Sequence, residues 1–330
     1  MNDWIRAEIM AQAAREVWAI LPVALTALLI NGELARDCAE KVSAESIVEA
    51  PSAIDVAAVV RSGPKSGRVV RVPIVGAITR RDSFWSLFFG GGATVERITK
   101  TLREVGQDDT ISTVLLDIDS PGGTVSGLPE LAAEVRQLRE SKRVVALANS
   151  LTASAAYWIA SQADEIVATP EALVGSVGVF TLHEDWSKLN ERIGINPTYI
   201  FAGKYKVEGN PDQPLSDEAR AHLQATVDDV YNLFVGDVAK GRGVAPAVVR
   251  AEYGEGRALT AKAAKANGLI DRIAGAEETL QRLSGAKAGE DKFPLTTAGM
   301  TVRTDEVNSL AQLALKRRRL ALAQKLYQED

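Results

Sequence analysis

The chain has 330 residues, 46% hydrophobic and 25% charged, enough to bury a sizeable core without covalent staples. A single cysteine, Cys38, excludes an internal disulfide framework, and a formal net charge of −5 argues against a nucleic-acid surface. With two histidines and no His/Cys/Asp/Glu cluster at ligand spacing, metal-dependent hydrolysis has no basis, and no cofactor is expected.

From the N-terminus, residues 1–64 read as a helical arm and linker. Its apolar run, Val17–Ile30 (VWAILPVALTALLI), is fourteen residues long and interrupted by Pro22. A bilayer-spanning helix needs about 20 apolar residues. Asp3, Glu8 and Glu16 ahead of the run do not suit a secretory signal. The expectation is a helix buried in the protein or packed on a partner, in a soluble, cytoplasmic chain with no membrane span.

Residues 65–285 alternate short β-branched runs with longer helical patterns. Strands are expected at Arg68–Val75, Thr113–Asp117, Arg143–Ala148, Glu165–Ala168, Val177–Thr181 and Thr198–Phe201. Helices are expected at 93–105, 127–140, 154–162, 184–193 and 216–241. Runs such as TVLLDI and VVALA are apolar throughout, as in strands covered on both faces. The alternation therefore predicts an α/β fold of βαβ units with a mainly parallel sheet. Residues 286–330 form a tail, loop-like at first and then an amphipathic helix carrying KRRR (316–319).

Open α/β sheets bind ligands beyond the carboxyl ends of their strands, and three such junctions stand out. Asp119-Ser120-Pro121-Gly122-Gly123 follows a strand, and its glycines can expose N–H groups to a developing oxyanion. Alone it reads rather as a tight strand–helix turn. The segment 149–157 (NSLTASAAY) places Ser154 where AAYWIA begins a helix, whose free N–H groups favour negative charge. The competing reading makes Ser154 or Thr152 an N-cap. Gly175-Ser176-Val177-Gly178-Val179 reads as a glycine-flanked serine opening a strand.

A serine nucleophile needs a base. His222 lies on a polar-faced helix, His183 would need an orienting acid to build a triad, and Cys38 has no histidine nearby. Lysine remains. Lys204 and Lys206 in GKYK project to one side if the backbone is extended, so spacing does not choose between them. Either amine needs desolvation to lose its proton near neutral pH, roughly 4 kcal/mol for a fall from about 10.4 to 7–8.

Together these segments resemble the signal peptide peptidase A family of serine peptidases, from RVVRVPIVGAIT (68–79) to GLIDRIAGAEETL (268–280). The pieces stand in that family's order: DSPGG, SLTASAAYWIAS, GSVGV, GKYK and GRALTAKAAKANGLID. The resemblance implies Ser154 as nucleophile and Lys206 as base. It also implies backbone oxyanion donors at Gly122, Gly123 and Ala155, and Ser176 beside the lysine. The implied fold is the Clp protease/crotonase-like α/β spiral, assembled into a homo-oligomeric ring. Many bacterial members carry an acid directly after the lysine, whereas here Val207 precedes Glu208. That variant, and the REVWAILPVALTALL opening, look more like the tailed-phage prohead proteases, which cleave capsid and scaffold proteins inside the host or prohead. A cellular peptidase of the same family is the nearest alternative. A crotonase-like acyl-CoA enzyme, which would not need Ser154 and Lys206, and a catalytically idle assembly protein are the rivals from other classes.

Overall fold

Strands that are apolar along their whole length need cover on both faces, and the computed structural model supplies it. It describes residues 17–22, 24, 58–60, 68–81 and 92–285. Cys38, the rest of the expected arm and linker, and the tail helix expected within 286–330 lie outside the described residues.

In chain order the elements are β1 (Trp18–Ile20), β2 (Ala58–Val60), β3 (Arg68–Val75), α1 (Val95–Gln107), β4 (Ile111–Ser120) and β5 (Gly122–Thr124). They continue with α2 (Leu128–Leu138), β6 (Arg143–Ala153), α3 (Ala155–Ala160), β7 (Glu165–Ala168), β8 (Leu173–Gly175) and α4 (Ser187–Arg192). The last are α5 (Asp217–Arg242), α6 (Pro246–Glu252), β9 (Ala258–Thr260), α7 (Ala261–Ala266), β10 (Arg272–Ile273) and α8 (Ala276–Ser284).

The main sheet runs β10-β7-β6-β4-β3-β2, with β8 paired to the end of β6 and β9 to β8, and it is parallel except for β2 and β9. Strand alternation divides its side chains between two cores. Val70, Val72, Ile74, Val114, Leu116, Ile118, Val144, Ala146 and Ala148 join the larger core with α1, α2 and α3. Val69, Leu115, Val145, Leu147 and Val167 point the other way and pack with Leu280 of α8. The mainly parallel α/β architecture expected from the alternation is therefore the one observed.

Helix α3 is buried on every side, as its sequence AAYWIA requires. Its polar atoms are matched: Tyr157 OH donates to the Leu269 carbonyl at 2.9 Å, and Trp158 Nε1 donates to Asp237 at 3.1 Å. Trp158 also stacks on Phe234 of α5, with ring centroids 4.3 Å apart. α5 docks here through its C-terminal third, while most residues of its first four turns are exposed.

Three expectations are corrected. Residues 18–20 form a strand where a helix was expected, because β-branched and aromatic residues meet an open strand edge and Pro22 ends the run. Ser176 follows strand β8 rather than opening one at 177–181, and only Phe180 of that stretch makes a bridge, to Trp18. No strand forms at 198–201. The lysines that follow lie in consecutive turns instead of extended chain, with Lys206 N–H bonded to the Gly203 carbonyl at 3.0 Å.

Candidate active site

β4 and β6 stay in step from Thr113↔Arg143 to Ile118↔Ala148, and then β6 carries two extra residues before Ser120 meets Thr152. Ser150, at φ 78°, lies within that excess. The bulge carries Leu151–Ala153 away from β7 and onto β8, so that the strand runs on past the end of β7. Ser154 comes next, at the strand-to-helix corner, with φ 56° and ψ −115°. That region favours glycine, and holding a serine there costs about 1–3 kcal/mol.

Two main-chain bonds hold the corner. Ser154 N–H donates to the Gly175 carbonyl at 2.7 Å, and the Ser154 carbonyl accepts from Trp158 N–H at 2.9 Å. Ser154 stands at the N-cap position of α3, but its side chain makes no capping bond there. Its Oγ donates instead to the Gly178 carbonyl at 3.3 Å. Thr152, the other cap candidate, donates to the Ile118 carbonyl at 3.3 Å. Ala155 opens α3, where a backbone N–H has no acceptor within the helix.

The glycine turn divides its two residues between different tasks. Gly122 N–H is turned inward to Ser120 Oγ at 3.2 Å. Its backbone has φ 103°, and a side chain there would approach the Ala19 oxygen to 2.2 Å and the Ala153 oxygen to 3.0 Å. Gly122 therefore serves by lacking a Cβ. Gly123 is equally confined, since a Cβ there would meet the Ile78 oxygen at 1.8 Å, and it pairs with the arm.

That arm is β1. It lies antiparallel to β5 in the register Trp18↔Thr124, Ala19↔Gly123 and Ile20↔Gly122. Val125 N–H donates to the Val17 carbonyl at 3.2 Å, and Leu21 N–H donates to the Pro121 carbonyl at 3.0 Å. Its other edge is also taken: Trp18 and Phe180 exchange bonds of 2.8 and 3.0 Å. The cleft between the glycine turn and the GSVGVF segment thus holds an extended peptide from the same chain. Ala19, Ile20 and Ser154 are 0%, 2% and 1% exposed. The apolar run signalled this strand only through VWAI ahead of a proline.

The remaining candidates fall elsewhere. Ser176 (φ 54°) donates through its Oγ to the Gly256 carbonyl at 3.0 Å. The His183 ring bonds the Asn210 carbonyl at 3.2 Å, which gives it no part in a triad with Ser154, and His222 is exposed on α5. Lys204 bonds Tyr205 OH at 2.7 Å and pairs with Glu218 at 3.4 Å, and these partners raise its pKa above the ordinary lysine value. Lys206 is exposed, and no hydrogen bond joins it to Ser154 within the single chain. In the stretch that precedes it, Ile193, Ile195, Ile200, Phe201 and Tyr205 are exposed, Ile200 to 97%. No helix among the described residues is long and apolar enough to cross a membrane.

Comparison with known proteins supplies independent evidence. The model of peptidase family S49 matches residues 136–289. Protein slr0021 of Synechocystis sp., provisionally named a protease, is 33% identical over 232 residues, covering 70% of this chain and 78% of that protein. MJ0651 of Methanocaldococcus jannaschii, named in the same provisional way, is 36% identical over 182 residues, covering 55% and 58%. Capsid assembly protease C of Escherichia phage lambda is 28% identical over 265 residues, covering 74% and 59%. The matched region is thus under two thirds of the length of the second and third of these relatives.

Proposed function

The chain belongs to peptidase family S49 and is a serine-type peptidase, and from that premise we propose that Ser154 is its nucleophile and Lys206 its general base. The observation that carries the reading is the corner at Ser154: a serine held at φ 56° at a strand-to-helix turn, its hydroxyl free of any capping role. Strain of this kind persists where surrounding structure over-determines it, as at strand-to-helix turns that carry a nucleophile.

In the proposed reaction, neutral Lys206 takes the Ser154 proton as Oγ attacks the carbonyl of an extended substrate. The backbone N–H groups of Gly123 and Ala155 receive the oxyanion, the amine leaves with the proton, and water releases the acyl-enzyme. Gly122 contributes the space a Cβ would fill. The pairing of β1 with β5 supports substrate binding by strand addition at this edge.

Lys206 is the better base of the two lysines because Tyr205 and Glu218 hold Lys204 protonated. Its exposure in the single chain means that another copy has to cover it. The exposed apolar side chains at 193–205 supply a surface for that contact. The dyad accordingly joins Ser154 of one copy to Lys206 of a neighbour in a homo-oligomer, and Ser176 orients the amine.

Ser154→Ala and Lys206→Ala each abolish hydrolysis of casein while the protein stays folded. Co-assembling the two inactive variants restores part of the activity, because one copy supplies the serine and the other the lysine. Full activity in either single variant defeats the assignment, and a co-assembly that stays inactive defeats the sharing of the site.

For substrates, we favour capsid and scaffold proteins cut during phage head assembly, supported by the likeness to the phage lambda capsid assembly protease. Co-expression with candidate head proteins, followed by mass spectrometry, tests this. Cleavage of model peptides with no cut in any head protein leaves the cellular peptidase as the better reading.

A further inference from the structure

The cleft beside Ser154 is filled by the chain's own residues 17–21, bonded along both edges in the geometry expected of a substrate. We propose that this arm is the enzyme's first substrate, that the bond cut is Ala19–Ile20, and that the cleft selects an alanine-sized residue just before the cut.

The register identifies the bond. In an antiparallel pair, hydrogen-bonded and non-bonded positions alternate. Val17 bonds Val125 on the β5 side and Leu21 bonds Pro121 on the same side. Ala19, midway and opposite Gly123, is therefore the residue whose carbonyl faces the Gly123 N–H. Trp18, between them, turns its own N–H and carbonyl to Phe180 on the far side. The Ala19 oxygen and the Ile20 Cα converge with the Ala153 oxygen on the space left by the missing Cβ of Gly122. Ala153 is the residue immediately before Ser154. One carbonyl of the arm thus lies against the proposed oxyanion donor, one residue from the proposed nucleophile.

Burial sets the preference. The Ala19 methyl belongs to the larger core and is fully enclosed, so a longer side chain at that position has no room. Val17, Trp18 and Leu21 are only partly buried and less restrictive, whereas Ile20, just after the cut, is enclosed as well. The substrate class is an extended apolar peptide with alanine or a residue of similar size before the cut.

The step balances as a hydrolysis. Ser154 Oγ bonds the Ala19 carbonyl carbon, and the bond to the Ile20 nitrogen breaks as that nitrogen takes the serine's proton through the base. Water then adds to the ester, leaving an Ala19 carboxylate and free Ser154. The cut fragment no longer tethers to the cleft, and incoming peptides take its place.

The inference rests on Ser154 as nucleophile, and the test separates the two. Full-length wild type, Ser154→Ala and Ala19→Arg are purified, analysed by intact mass and N-terminal sequencing, and assayed on casein. The wild type is expected to begin at Ile20 and Ser154→Ala to stay intact. Ala19→Arg is expected to stay intact yet hydrolyse casein, since a charged side chain cannot remain in that enclosed position and the cleft opens. Ala19→Val, a milder change, slows self-cleavage at least tenfold and guards against misfolding of the arginine variant. A wild type left intact, or cut at another bond, while Ala19→Arg hydrolyses casein overturns the self-cleavage and spares the nucleophile. Hydrolysis of neither the arm nor casein by any variant overturns both.

Discussion

Ala19 stands opposite Gly123 in an antiparallel pair, so a residue near the N-terminus is seated against the glycine turn that follows β4. The pairing spans more than a hundred residues of sequence and closes the cleft beside Ser154. Its consequences, and those of the surrounding geometry, can be measured.

Gly123→Ala places a methyl 1.8 Å from the Ile78 oxygen, a backbone atom that cannot swing aside. The turn must move, and with it the N–H proposed to receive the oxyanion. Loss of one such donor costs about 10²–10³ in turnover. A fall of at least a hundredfold in casein hydrolysis is expected, together with a lower thermal midpoint.

Ser154→Gly and Ser154→Ala are both expected to be inactive, yet they differ in stability. At φ 56° glycine is unstrained and alanine is not, so the glycine variant is the more stable by about 1 kcal/mol. Urea midpoints of the two variants measure the difference. Equal midpoints mean that the corner stores no strain.

Glu165, at the start of β7, makes ion pairs to Arg143 at 2.9 Å, Arg282 at 2.9 Å and Arg272 at 3.4 Å. Burial pushes its carboxyl pKa up, but the bonds from Arg282 and Arg143 outweigh this and hold it below the usual glutamate range. A lowered folded-state pKa gives stability that is present above the unfolded value of about 4.3 and lost as pH falls through the folded one. Glu165→Gln is therefore expected to cost about 2 kcal/mol at pH 7 and progressively less below pH 4. Urea unfolding at the two pH values checks the sign.

Ile200→Asp and Phe201→Asp put charge into the exposed apolar stretch that precedes Lys206. If that stretch covers Lys206 by joining copies, both changes lower the sedimentation coefficient and reduce casein hydrolysis together. Lys204→Ala keeps most activity, because Lys204 is committed to Tyr205 and Glu218.

Much of this was legible in the chain. Arg68–Val75 and Glu165–Ala168 match their expected bounds, and α1, α2 and α5 lie within two residues of theirs. These segments are long or strongly patterned, so local periodicity decides them. The corner at Ser154 was visible as a serine between an apolar run and AAYWIA. The strand expected at 198–201 was not found, because β propensity expresses itself only where an edge is available to pair.

What the sequence determined by itself was the α/β alternation, the glycine turn, the serine that follows β6 and the lack of a well-placed histidine. All of these rest on residue type and short-range spacing. Only the tertiary structure decided that Trp18–Ile20 is a strand, that the Gly122 N–H turns to Ser120, that the Ser154 hydroxyl caps nothing and that Lys206 is left in the open. Each depends on which backbone groups find partners far along the chain, and hydrogen-bond satisfaction across such distances leaves no trace in local pattern.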